Sequence, residues 1–97
     1  MKEYKNKEAM ERLSMILRTM SNPTRMDIVK FLKKYDGSRF EDIRHEFNMN
    51  NNSARYHLKK LIDANLVIKS NKYYITDFGK KLATVFEDFD RAISEFE

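Results

Sequence analysis

Apolar positions in the first fifth of the chain fall at helical spacing, with Ala9, Met10, Leu13, Ile16, Leu17 and Met20 on one stripe. That stripe predicts an amphipathic helix over about 6–20. Ser21-Asn22-Pro23 interrupts it. Asn22 has the side chain of an N-cap, and Pro23 stands at the first helical position, where a missing N–H costs nothing. A second helix over about 23–34 buries Met26, Ile28, Val29, Phe31 and Leu32 and stops at Asp36-Gly37, whose glycine can take positive φ. Ser38-Arg39-Phe40-Glu41 has the spacing of a capping box, and Ile43 with Phe47 supplies a short apolar face, so a third helix is expected at about 39–47. Asn48-Met49-Asn50 breaks that helix. A fourth follows at about 51–64, with Ala54, Leu58, Leu61 and Ile62 on one side and Asn65 placed to end it in a left-handed conformation.

The period then changes from helical to extended. Leu66-Val67-Ile68-Lys69 and Tyr73-Tyr74-Ile75-Thr76 are rich in β-branched and aromatic residues and flank the polar Ser70-Asn71-Lys72, which predicts a tight β-hairpin. Thr76 or Asp77 caps a last helix to about 95, striped by Phe78, Leu82, Val85, Phe86, Phe89, Ile93 and Phe96. The fold class expected is mostly α with one small hairpin.

Composition narrows what such a chain can be. Ninety-seven residues suffice for a single domain, here a core at about 21–76 with flanking helices at about 6–20 and 77–95. A core this small is readily shared with a partner. With 41% hydrophobic residues, two glycines and one proline, the chain is folded and helix-rich rather than disordered. The absence of cysteine excludes disulfides, thiolate metal sites and a cysteine nucleophile, and points to a reducing, cytoplasmic setting. No apolar run of about 18 residues exists to span a membrane, and Met1 to Arg12 lacks the apolar stretch of a secretory signal.

Net charge is +4, and its distribution says more than its size. Residues 21–40 carry +3, residues 53–64 and 65–76 carry +2 each, and residues 77–97 carry −3. A polyanion would therefore meet the middle of the chain, not its end.

Two short helices joined by a three-residue turn make a helix-turn-helix arrangement. On the second of them, Asn51, Asn52, Ser53, Arg55 and Tyr56 face outward near the N-terminal end, where such groups can exchange hydrogen bonds with base edges. Lys59 and Lys60 follow and can neutralise phosphates. The same residues on an isolated helix would read as a solvated face; the basic hairpin directly after them favours a nucleic-acid role.

At these positions the chain resembles the ArsR-type winged helix-turn-helix transcription regulators. Ser21-Asn22-Pro23-Thr24-Arg25 with Ile28 to Leu32 is similar to their S-x-P-x-R opening. Ser53 to Leu61 looks like their recognition helix, with His57, Leu58 and Leu61 as its H-L-x-x-L core. Ala64-Asn65-Leu66-Val67 parallels A-G-L-V, and Ile75-Thr76-Asp77-Phe78-Gly79 resembles the I/L-T-x-x-G that closes the wing. The likeness spans about 20–82. It implies a dimeric, repressor-like DNA-binding regulator in which Asn51, Asn52, Ser53, Arg55 and Tyr56 enter the major groove, Lys59 and Lys60 lie nearer the backbone, and Lys69 and Lys72 sit on the wing. Arg25 and Arg39 join those lysines as expected phosphate contacts. Asn48 and Asn65 stand where the family usually has glycine, and Arg44 where a small packed residue is common, which predicts looser packing of the third helix.

Other chemistry finds little support. His57 in its motif is expected to be structural or phosphate-contacting, and His45 to lie on the surface. The last helix has carboxylates but no histidine, which disfavours zinc or copper, and its acids read as a solvated face. No glycine-rich phosphate loop, H-E-x-x-H or G-x-S-x-G occurs, so no enzyme is expected and no cofactor or metal is called for. Leu82, Val85, Phe89, Ala92 and Phe96 alternate by three and four, the seam spacing of paired helices. With Leu13, Leu17, Phe86 and Ile93 they are expected to join two copies through the first and last helices, methionines such as Met10, Met15 and Met20 filling gaps. The expectation is a homodimeric regulator that binds double-stranded DNA. The alternatives are an architectural protein with little sequence preference and a winged-helix module that docks a protein. No small-molecule effector is identified by these residues.

Overall fold

The computed structural model describes residues 6–97; the first five residues, where the charged N-terminal stretch begins, lie outside it. Five helices and one hairpin follow in the order α1 (Lys7–Met20), α2 (Pro23–Lys34), α3 (Phe40–Glu46), α4 (Asn51–Asp63), β1 (Val67–Lys69), β2 (Tyr73–Ile75) and α5 (Asp77–Glu95).

Asparagine does most of the punctuation. Asn6, Asn22 and Asn50 cap α1, α2 and α4, each accepting a hydrogen bond from the N–H three residues on, at 3.1, 3.0 and 2.8 Å. Asn48 and Asn65 take positive φ, 50° and 62°, and so supply the left-handed turns between α3 and α4 and after α4.

The capping box expected at Ser38 does not form. Arg39 is the N-cap of α3 and makes no side-chain cap, while the Ser38 hydroxyl donates instead to the Tyr35 carbonyl at 2.6 Å. Ser38 has a stronger engagement elsewhere: its backbone forms an isolated bridge with Tyr73, with N–H to O distances of 3.0 and 2.8 Å. Beside it, the Asp36 carboxylate accepts from the Ile75 N–H at 3.0 Å, and Gly37 turns at φ +81°. The loop between α2 and α3 thus borders β2 on the side opposite β1. Two backbone hydrogen bonds outweigh one side-chain cap.

The hairpin pairs Val67 with Ile75, Ile68 with Tyr74 and Lys69 with Tyr73. Val67, Tyr73 and Ile75 point into the core, and Ile68 and Tyr74 pair on the outer face. Thr76 ties the hairpin to α5, its hydroxyl donating to the Asn65 carbonyl at 2.9 Å and accepting from the Gly79 N–H at 2.9 Å. Gly79 is needed for space, because a Cβ there would come within 2.5 Å of the Leu66 carbonyl oxygen and 2.7 Å of an Ile75 methylene carbon. That close approach gives the T-x-x-G spacing its physical reason.

Ile28, Val29, Leu32, Ile43, Leu58, Leu61, Leu66 and Val67 are the fully buried large side chains, so α2, α3, α4 and the hairpin share one core. Helix α3 is firmly seated despite Arg44: Ile43 is fully buried, and Arg44 folds back to pair with Glu41 at 2.9 Å and to donate to the Met49 carbonyl at 3.3 Å. Helix α5 lies along α2. Its acids keep contact with water, and two of them also reach across to α2, Glu87 pairing with Lys33 at 2.6 Å and Asp90 with Lys30. The basic excess of α2 is thereby partly met from within the chain. No helix among the described residues is long and apolar enough to cross a membrane.

Candidate nucleic-acid interface

Ala54, Leu58 and Leu61 anchor α4 in the core, and that fixes which side chains can face outward. Asn51, Asn52, Arg55, Tyr56, Lys59 and Lys60 are exposed, and Ser53 is half-buried beneath the first turn, its N–H held by Asn50. The face carries amides and a guanidinium at the N-terminal end and two ammonium groups toward the other end.

Several of these groups are preorganised. The Arg55 guanidinium lies 4.9 Å from the centre of the Phe40 ring, which places a platform from α3 under a group on α4. Lys60 lies 5.5 Å from the Tyr56 ring centre, and that ring meets His57 edge-on at 5.6 Å. Lys59 pairs with Asp63 at 3.1 Å, an exposed contact that is readily exchanged for a phosphate. Spacing could not reveal the Phe40 platform, because Phe40 belongs to another element, whereas Tyr56 and Lys60 stand four apart on one helix.

The other expected cations separate into two groups. Arg39, Lys69 and Lys72 are exposed, Arg39 at the start of α3 within 3.4 Å of Asp42 and the lysines on the hairpin. Arg25, unlike these, is only 9% exposed and stands away from the open face. Its Nε donates to the Thr19 carbonyl at 2.6 Å, and its Nη1 meets His57 Nδ1 at 3.1 Å. Three residues after the Asn22 cap, its side chain is carried under the end of α1, where it links α1, α2 and α4. Burial first, and the Arg25 charge second, hold His57 below the usual histidine range. The neutral ring then accepts from Arg25. His45 is exposed.

The residues expected at a dimer seam fall on α1 and α5. Leu13, Leu17, Val85, Phe89, Ile93 and Phe96 are exposed, Phe96 at 91%, whereas Leu82 and Phe86 pack partly against the chain's own core. Among the described residues no three histidine or acidic side chains gather in a way that could hold a metal ion.

Residues 20–69 match the family model of a helix-turn-helix domain. No curated protein matches the chain. Among solved structures, the chain superposes on the homodimeric winged helix-turn-helix DNA-binding domain of a possible ArsR-family transcriptional regulator from Mycobacterium bovis. The TM-score is 0.78 at 17% identity, covering 91% of this chain and 86% of that domain. It also superposes on a predicted DNA-binding transcriptional regulator from Escherichia coli, with a TM-score of 0.66 at 17% identity over 84% of this chain and 93% of that one. At such identities the likeness is one of fold, and the fold is the winged helix-turn-helix.

Proposed function

The chain belongs to the helix-turn-helix domain family, and from that membership we propose that it is a homodimeric, ArsR-type transcriptional regulator that binds double-stranded DNA with sequence preference and acts in the cytoplasm, repressor-like and without catalysis. The observation that carries this reading is the face of α4, where Asn51, Asn52, Arg55, Tyr56, Lys59 and Lys60 are exposed on a helix locked by its other side into the core. Amides and a guanidinium can read base edges, and ammonium groups supply affinity without sequence information. Arg39, Lys59, Lys60, Lys69 and Lys72 are the proposed phosphate contacts, whose counterion release makes binding fall steeply with salt.

Two exposed apolar stripes, on α1 and α5, support the dimer, as does the homodimeric state of the Mycobacterium bovis domain. A two-fold axis between copies would set two recognition helices about 34–36 Å apart, one turn of DNA. Selection of bound duplexes from a random pool at roughly physiological salt tests the reading. A near-palindromic motif is the expected result. Recovery of DNA without a motif would favour architectural binding, and no recovery would favour a protein partner.

A further inference from the structure

A cavity of about 380 Å³ opens where the end of α1, the first turn of α2 and the flank of α4 meet, lined by Met15, Arg18, Arg25, Tyr56, Lys60 and Asp63. Three of these side chains are cations. The single acid is turned to Lys59, outside the lining, at 3.1 Å. Among the described residues, Arg18, Arg25 and Lys60 form no ion pair with a carboxylate. Arg18 is held toward Ser14, its Nη1 donating to the hydroxyl at 2.9 Å.

Arg25 is the unusual member, because it is nine-tenths buried and its partners are a carbonyl and an uncharged imidazole. The Thr19 carbonyl in the last turn of α1 offers it only the partial negative charge of a helix end. Two hydrogen bonds use two of the five guanidinium N–H groups. A cation so far out of water is costly unless an anion meets it, and the walls bring two further cations to the same opening.

We propose that this cavity is an oxyanion site, receiving a phosphate or carboxylate group among Arg18, Arg25 and Lys60. Met15 and the Tyr56 ring supply an apolar wall for the rest of a small ligand. Lys60 and Tyr56 also belong to the exposed face of α4, so an anion here engages two side chains of that face. This coupling rests on the DNA-binding reading; the site itself does not. The anion has two possible sources, a free small molecule or a backbone phosphodiester of DNA, and they give different results in one experiment.

The test is an NMR titration of the free 97-residue chain with inorganic phosphate, against chloride at matched ionic strength. Saturable shifts at Arg18, the Arg25 side chain, Tyr56 and Lys60 are expected. Arg18→Gln should weaken phosphate binding roughly fivefold, the upper range for one exposed charge. Lys81→Gln, on α5 and away from the cavity, should leave it unchanged. Non-saturating shifts, or equal shifts at every basic residue, would overturn the site. Adding phosphate to the DNA complex at constant ionic strength, with chloride as the control, then separates the sources. Release of the duplex marks a phosphodiester seat, and phosphate bound alongside intact DNA marks a site for a free ligand. A chain that fails to bind DNA would contradict the proposed function while leaving the phosphate titration as decisive as before.

Discussion

Helices α4 and α5 are both amphipathic, yet they end in opposite states. The apolar residues of α4, Ala54, Leu58 and Leu61, are covered by the chain itself, and its remaining surface is polar and cationic. Helix α5 buries fully only Gly79 and Ala83, and it leaves Val85, Phe89, Ile93 and Phe96 in solvent. Burying a side chain of this kind contributes about 1.5–3 kcal/mol, so four left exposed represent a large unmet driving force. The difference teaches that a hydrophobic stripe reports an apolar surface without saying which molecule covers it. One helix is finished by its own domain; the other is finished, in our reading, by a second copy.

The largest effect expected from breaking this contrast is on assembly. Phe89→Glu puts a charge on the open stripe of α5, and light scattering should show its mass fall to that of one 11.7 kDa chain. Its DNA affinity should drop at least about tenfold, since two linked sites become one. An unchanged mass would place the interface elsewhere.

The next effect is on the joint between the two regions. Gly79→Ala forces a methyl against the Leu66 carbonyl and Ile75, and overpacking of this kind costs about 1–3 kcal/mol. Urea unfolding measures the loss, and a stability equal to the parent's would show that the start of α5 shifts freely. For the α4 face, Arg55→Ala should cost about 1–3 kcal/mol on the selected duplex and relax its base preference, with less loss on random DNA. Equal losses on both would make Arg55 a phosphate contact.

The smallest effect belongs to His57. Its folded pKa is lowered, by burial and then by Arg25, so the unfolded chain takes up the proton more readily. Stability from this group is complete above the ordinary histidine range and is lost as pH falls from there toward the folded pKa. Melting temperatures followed from pH 7.5 down to 5.5 (on the order of one unit either side of the ordinary histidine value) should decline. His57→Gln should flatten that decline, and an unaltered slope would assign it to other groups.

Most of the fold was legible because local rules agreed with the global ones. Asn22-Pro23 starts a helix, Asn48 and Asn65 accept positive φ, and the change from helical to alternating period marks the hairpin. What was hidden depends on contacts between distant residues. Ser38 had the spacing of a cap, but its backbone is claimed by Tyr73. Arg25 looked like a surface cation, but it is drawn inward by Thr19 and by His57, 32 positions away. The acids of α5 read as a solvated face, and their exposure fits that, but the pairing of Glu87 and Asp90 with Lys33 and Lys30 on α2 depends on how the two helices lie together. The outward face of α4 could be read from its period alone; the Phe40 platform beneath Arg55 could not.

Whether two copies bind DNA together is decided by the mass of the complex formed with a duplex recovered by selection. One duplex should carry two chains, with no further addition as protein is raised. A complex with a single chain, or one that grows without limit as protein coats the DNA, would contradict it.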